Sequence, residues 1–160
     1  MVKLNTSNQL QIIDIENLLG NPRPDANEVR ECQQLWNELI RPGITSQSII
    51  ACNHGAAETV MFEWLGSAQR LLRSGQNGAD DALLQEVANR DINNRFSEVL
   101  IGSGDHIFTD LCVKLISRGV KVTVVSRRES LAKSLAFAAT RVVFFERVEL
   151  SDSAVLEVAA

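Results

Sequence analysis

The sequence predicts an α/β domain in which one open, mostly parallel sheet is covered by helices on both faces. Two observations carry that expectation. Short apolar runs that read as strands alternate with amphipathic helical segments from one end of the chain to the other. The strand runs are also continuously apolar, as strands covered on both faces must be, and a helical crossover follows each of the first five. The size agrees. With 160 residues, 45% hydrophobic and 22% charged, the chain can bury roughly 70% of its unfolded surface and needs no disulfide staples.

The first strand is the run over 10–15, which ends in a loop holding Gly20, Pro22 and Pro24. Asp25, with Glu28 three residues on, forms a capping box that opens a helix. That helix carries Val29, Cys32, Leu35, Trp36, Leu39 and Ile40 at helical spacing and stops at Pro42-Gly43. The second strand covers 48–52, and the helix after it sets Ala57, Val60, Met61, Trp64 and Leu65 on one face. Residues 68–72 read as the third strand, and the glycine-rich stretch 74–78 as a loop. A helix with the stripe Leu83, Leu84, Val87 and Ala88 follows. The fourth strand, 98–101, runs through Gly102-Ser103-Gly104-Asp105 into a helix that turns Phe108, Leu111, Cys112, Leu115 and Ile116 inward and stops at Gly119. Strand five covers 120–125, a short helix runs from about 130 to 138, and strand six covers 142–145. No repeat or linker interrupts the pattern, so residues 1–160 read as one domain with a core over about 10–145 and an extension over 146–160.

The formal net charge of −4 argues against nucleic-acid binding by bulk attraction. Residues 146–160 hold −3 of it, through Glu146, Glu149, Asp152 and Glu157 against Arg147, so 1–145 carries only −1 and has room for a local basic patch. Cys32, Cys52 and Cys112 are odd in number, far apart and set among apolar residues, which suits reduced core thiols in a cytoplasmic protein. No apolar run approaches the roughly 20 residues of a membrane-spanning helix, so no membrane partner is expected. Residues 1–8 lack the apolar stretch and cleavage site of a secretion signal. Val148, Leu150, Val155, Leu156 and Val158 suit packing on the domain or on a second copy, which makes a homodimer an expectation to test.

In open parallel sheets, ligands bind beyond the carboxyl ends of the strands where the strand order reverses. Polar residues fall there in three clusters: Asp14-Ile15-Glu16-Asn17 after strand one, Asp80-Asp81 opening a helix, and Gly102-Ser103-Gly104-Asp105 after strand four. Asp80 lies one helical turn before Leu83 and Leu84, on the stripe facing the sheet. Carboxylates crowded at one rim repel unless a cation intervenes. Oxygen-only donors of this kind suit Mg²⁺ or Mn²⁺, and such an ion assists phosphodiester cleavage. Asn17 and Ser103 can then position water or a phosphate by hydrogen bonds. Each residue also has an ordinary structural role: Asp105 as a helix cap, Asp80-Asp81 as a favourable helix start, and Asp110 with Lys114 as a solvated pair. Glu86 falls on a helix flank toward solvent, His54 follows strand two near a turn, and His106 reads as an exposed polar residue in a first helical turn in preference to a base. Only the combination of Asp14, Asp80 and Asp105 stands out.

These motifs resemble the NYN branch of the PIN-like nucleases. That family shows a strand ending in Asp-x-x-Asn, a Gly-x-Asp opening a middle helix, and Ser-Gly-Asp-x-Asp-Phe after the fourth strand. The corresponding residues here are Asp14-Ile15-Glu16-Asn17, Gly78-Ala79-Asp80 and Gly102-Ser103-Gly104-Asp105-His106-Ile107-Phe108. Order, intervening lengths and the closing strand–helix–strand pattern agree from about Leu10 to Phe145. The resemblance implies a three-layer α/β/α fold, an endoribonuclease acting on RNA, and catalytic, metal-binding roles for Asp14, Asp80 and Asp105 with Mg²⁺ or Mn²⁺. Ile107 stands where the family often has a second Asp, and Thr140 near its Ala-Asp before the last strand. The alternative reading is therefore a PIN-like domain that binds RNA or a partner protein without cutting it. Arg127 and Arg128 follow strand five on the same rim and are expected to position substrate, with Arg70, Arg73 and Lys133 as further phosphate contacts. With two Trp in core-like positions, six Phe and no Tyr, sequence-specific recognition on an aromatic platform is not expected. A nucleotide-binding or phosphoacceptor domain is the third class. It lacks support, because the chain has neither a P-loop nor a glycine fingerprint, and Arg73-Ser74 stands where an acceptor Asp would be needed.

Overall fold

The computed structural model describes residues 8–72, 78–88 and 90–147, with the side chains of 78–80 outside that description. Ser74, Gly75, Gln76 and Asn77 of the expected loop, and the tail from Val148, also lie outside the described residues.

Six strands form one sheet: β1 (Gln9–Asp14), β2 (Gln47–Cys52), β3 (Ala68–Leu72), β4 (Glu98–Gly102), β5 (Lys121–Ser126) and β6 (Arg141–Phe144). Their order is β3-β2-β1-β4-β5-β6, and every pairing is parallel. Helices α1 (Ile15–Leu19), α2 (Ala26–Ile40) and α3 (Ala57–Glu63) cover one face. The other face carries α4 (Gly78–Ala88), α5 (Ile92–Arg95), α6 (Thr109–Ser117) and α7 (Lys133–Ala138). This is a three-layer α/β/α sandwich with two apolar cores, one on each side of the sheet. Ile13, Cys32, Trp36, Val60 and Trp64 belong to the first core, and Leu83, Val87, Phe108, Cys112 and Leu135 to the second.

Both faces of the central strand are buried, so all six residues of β1 are inaccessible, including two glutamines. The Gln11 Oε1 accepts from Trp36 Nε1 at 2.8 Å and from the Ser48 hydroxyl at 3.2 Å. Because an indole nitrogen can only donate, the orientation of that amide is determined. Its Nε2 is buried and has no hydrogen-bond partner among the described residues. The expected capping box opens α2: Glu28 N donates to Asp25 at 2.9 Å, and Asp25 N donates to the Glu28 carboxylate at 2.8 Å. All three cysteines are free and buried. Among the described residues, no helix is long and apolar enough to cross a membrane.

Several local expectations change. The segment after β1 is not a loop but the single-turn helix α1, because Asp14 caps it and Gly20 closes it at φ +66°. The α3 helix is only seven residues long, so Val60 and Trp64 take the sheet contact, while Met61 and Leu65 are exposed. The Ala88 side chain is exposed at the end of α4, and Ile116 sits at the exposed margin of α6. A 3-10 turn over His106–Phe108 precedes α6, and α5 is an unexpected four-residue helix.

Candidate active site at the strand switch

The sheet order reverses between β1 and β4, which are neighbours in space although two strands separate them in the chain. Successive connections leave β1 toward β3 and leave β4 toward β6, so the carboxyl ends of this pair open a crevice. Asp14 is the last residue of β1 and is 5% exposed. Its Oδ1 accepts from Asn17 N at 3.3 Å and its Oδ2 accepts from the Ser103 hydroxyl at 3.4 Å. Ser103 Oγ in turn accepts from Asp105 N at 3.2 Å. Asp105 caps the 3-10 turn, with Oδ1 accepting from Ile107 N at 3.0 Å and lying 3.1 Å from His106 Nδ1. Asn17 Oδ1 accepts from Gly104 N at 2.9 Å, which leaves its Nδ2 with no hydrogen-bond partner among the described residues. The structure thus brings Asp14, Asn17, Ser103 and Asp105 into one hydrogen-bonded unit.

Gly104 makes the unit possible. A Cβ there would overlap Ser126 Oγ and the Ser130 carbonyl, and Gly104 O accepts from Ala132 N at 2.8 Å. Only glycine lets the β4 and β5 loops approach this closely. Asp80 belongs to the first turn of α4, three residues before buried Leu83, and its side chain lies outside the described residues. Since α4 follows β3 and packs on β1 and β2, its N-terminus begins at the same carboxyl rim. Among the described residues, no group of three His, Cys, Asp or Glu is placed to hold a metal ion.

The expected basic residues have other partners. Arg127 Nε donates to Asn17 O at 3.0 Å and its Nη1 pairs with Glu129 at 2.8 Å. Arg128 donates from Nε at 3.1 Å and from Nη2 at 2.7 Å to Glu146, and its guanidinium lies 3.9 Å from the Phe144 ring centre. Arg70 is tied to the carbonyls of Ala68 and Trp64, whereas Lys133 is exposed at the start of α7. Arg73 lies outside the described residues. Glu86 is held by Arg90 at 2.9 and 3.1 Å rather than left to solvent. Hydrogen bonds from Arg90 and then Gln69 keep its carboxyl below the usual range.

The two departures from the motif have structural explanations. Ile107 is half-buried and packs on the core beneath α6. Thr140 Oγ1 accepts from Val122 N at 3.1 Å near the amino ends of β5 and β6, away from the crevice. The contacts that sequence reasoning missed are the Ser103 relay and the Arg128–Phe144–Glu146 cluster, since each joins residues distant in the chain.

An all-parallel sheet in this order, with carboxylates where it reverses, defines a Rossmann-like α/β/α domain with an acidic crevice. The NYN domain family matches residues 11–149, and the chain belongs to that family, within the PIN-like nuclease superfamily. The fold is similar to the crystal structure of a protein of unknown function from Vibrio parahaemolyticus, at 14% identity and a TM-score of 0.60. That likeness covers 89% of this chain and 95% of the other. None of the curated proteins compared with the chain matches it.

Proposed function

We propose that the protein is a metal-dependent endoribonuclease that cleaves RNA phosphodiester bonds at the crevice between the ends of β1 and β4. The observation that carries this reading is the single hydrogen-bonded unit formed by Asp14, Asn17, Ser103 and Asp105 at the strand switch. Membership of the NYN family, whose nucleases act on RNA, supports the substrate class.

The donors are hard oxygens, which fit Mg²⁺ or Mn²⁺ and not a softer metal. Asp14 and Asp105 would hold the ion, with Asp80 as the third carboxylate expected from the sequence. When bound, such an ion lowers the pKa of water and stabilises charge on the phosphate. Ser103 acts through the acids: its hydroxyl donates to Asp14 and accepts from the Asp105 amide, so it fixes both relative to β4. Asn17 is anchored through Oδ1 by Gly104, and its Nδ2 hydrogens remain to donate to a phosphate oxygen or the attacking water. Arg127 holds Asn17 from behind through the backbone carbonyl. Burial of Asp14 keeps competing bulk water from its carboxylate.

Single-turnover cleavage of an unstructured oligoribonucleotide with Mn²⁺ tests the proposal. Asp14→Asn and Asp105→Asn are each expected to slow cleavage ~100-fold or more, the scale of several kcal/mol of lost charge stabilisation. Mn²⁺ should also raise the melting temperature of the native protein but not of Asp14→Asn. Unchanged cleavage in both variants would identify a contaminating nuclease. RNA binding with neither cleavage nor a Mn²⁺ shift would establish the non-cutting binder instead.

A further inference from the structure

Arg128 is arranged differently from an ordinary surface arginine. Its guanidinium lies 3.9 Å from the centre of the Phe144 ring, at stacking distance. Its Nε and Nη2 edge is forked by the Glu146 carboxylate at 3.1 and 2.7 Å. One face is thus covered by an aromatic ring and one edge is fixed by a carboxylate, yet the side chain remains 60% exposed. The rotamer freedom that binding normally removes from an arginine is already restrained. Glu146 also compensates the charge, which makes the group a poor hook for phosphate. What remains is a planar, weakly hydrated cation that is largely exposed among the described residues, and such a surface attracts the face of a nucleobase.

The location fits. Phe144 ends β6 and pairs with Ser126 at the end of β5, so the cluster lies on the same carboxyl rim as the acidic crevice. Two strand spacings, about 10 Å, separate the end of β4 from that of β6. The neighbouring Arg127 is bonded to Asn17 O at 3.0 Å, which ties this loop rigidly to the site.

We propose that the Arg128 guanidinium, seated on Phe144 and held by Glu146, is a platform on which an unpaired RNA base stacks next to the cleavage crevice. This rests on the ribonuclease reading and deepens it, because it assigns single-stranded character to the RNA at that point. Stacking on a guanidinium accepts any base face, so the platform selects unstacked nucleotides without reading their sequence. It therefore needs none of the Tyr-rich surface that the composition lacks.

The test measures affinity, by fluorescence anisotropy with Ca²⁺ present, for a single-stranded oligoribonucleotide and for an abasic strand of equal length. Arg128→Lys keeps the charge and loses the plane. It is expected to weaken binding of the base-bearing strand about tenfold and to leave the abasic strand unchanged. Phe144→Leu, which keeps the Glu146 pair but removes the supporting ring, should produce a smaller loss of the same kind. Equal losses on both strands would show a phosphate contact and overturn the platform, as would full affinity in Arg128→Lys. If the wild-type protein bound neither strand, the ribonuclease reading itself would fail; if it bound and cleaved RNA while Arg128→Lys stayed normal, only the platform would. Unchanged melting temperatures confirm that the variants are folded.

Discussion

At the scale of single residues, the same groups serve structure and the proposed chemistry. Asp14 caps α1 while it accepts the Ser103 hydroxyl, and Asp105 caps the next turn while its amide donates to Ser103. Capping fixes the rotamers of both acids, which is the preorganisation that an ion or a phosphate would need. Burial also sets the chemistry of the three thiols. Burial pushes Cys32 up to about 12 and Cys112 to about 11, and burial with the nearby Glu16 charge pushes Cys52 to about 11. Native protein at pH 8 is therefore expected to react with none of its three thiols in a disulfide-exchange titration, and all three should react after denaturation. The sign of the linked stability follows. The folded state keeps thiol protons that the unfolded chain releases around pH 9.0, so stability is complete well below that value and falls toward pH 11 to 12. The slope approaches ~1.4 kcal/mol per pH unit for each cysteine, and denaturant melts between pH 8 and 10 would measure it. That the cysteines are core residues was legible from their apolar neighbours. The Ser103 relay was not, because 89 residues separate Ser103 from Asp14.

At the scale of elements, α1 is the most informative departure. Pattern reading passes over a five-residue helix, since one turn is too short to show a period. Its two ends explain its presence: an Asp14 cap and Gly20 at φ +66°, with Gly20 N donating to Glu16 O at 2.7 Å. A Cβ on Gly20 would also sit 2.8 Å from the Arg127 guanidinium. Gly20→Ala should therefore cost roughly 1–2 kcal/mol, from the left-handed backbone and the displaced arginine. Thermal melts would read the loss, and a variant as stable as the parent would refute this account of the turn. Long elements behaved as their patterns require. The α2 helix carries its capping box and buries Val29, Cys32 and Trp36 as the spacing demands. The α3 stripe did not, because seven residues bury little more than one turn.

At the scale of the whole molecule, the crevice depends on how closely α2 can approach β4. Gly102 lies under Trp36: a Cβ there would be 2.8 Å from the indole ring. Trp36 is fully buried and its Nε1 donates to Gln11 on β1, so it spans the two strands that define the switch. Gly102→Ala is expected to destabilise the protein by about 1–3 kcal/mol through overpacking, roughly 3–9 °C in melting temperature. A shift in Trp emission should accompany it, and cleavage should fall because Ser103 is the next residue. A neutral substitution would mean that Trp36 repacks freely.

The amino-acid sequence by itself determined the alternation of strand and helix, the near-continuous burial of the central strands β1, β4 and β5, the caps at Asp25 and Gly119, and the family motifs from Asp14 to Phe108. Those properties are local, and local periodicity and turn chemistry encode them directly. Tertiary structure alone decided that β4 lies beside β1 and that Asp14, Asn17, Ser103 and Asp105 share one network. It also turned Arg127 onto Asn17 and Arg128 onto Phe144. These pairings join segments separated by up to 110 residues, and their partners are chosen by packing across the sheet, which no short stretch of sequence carries.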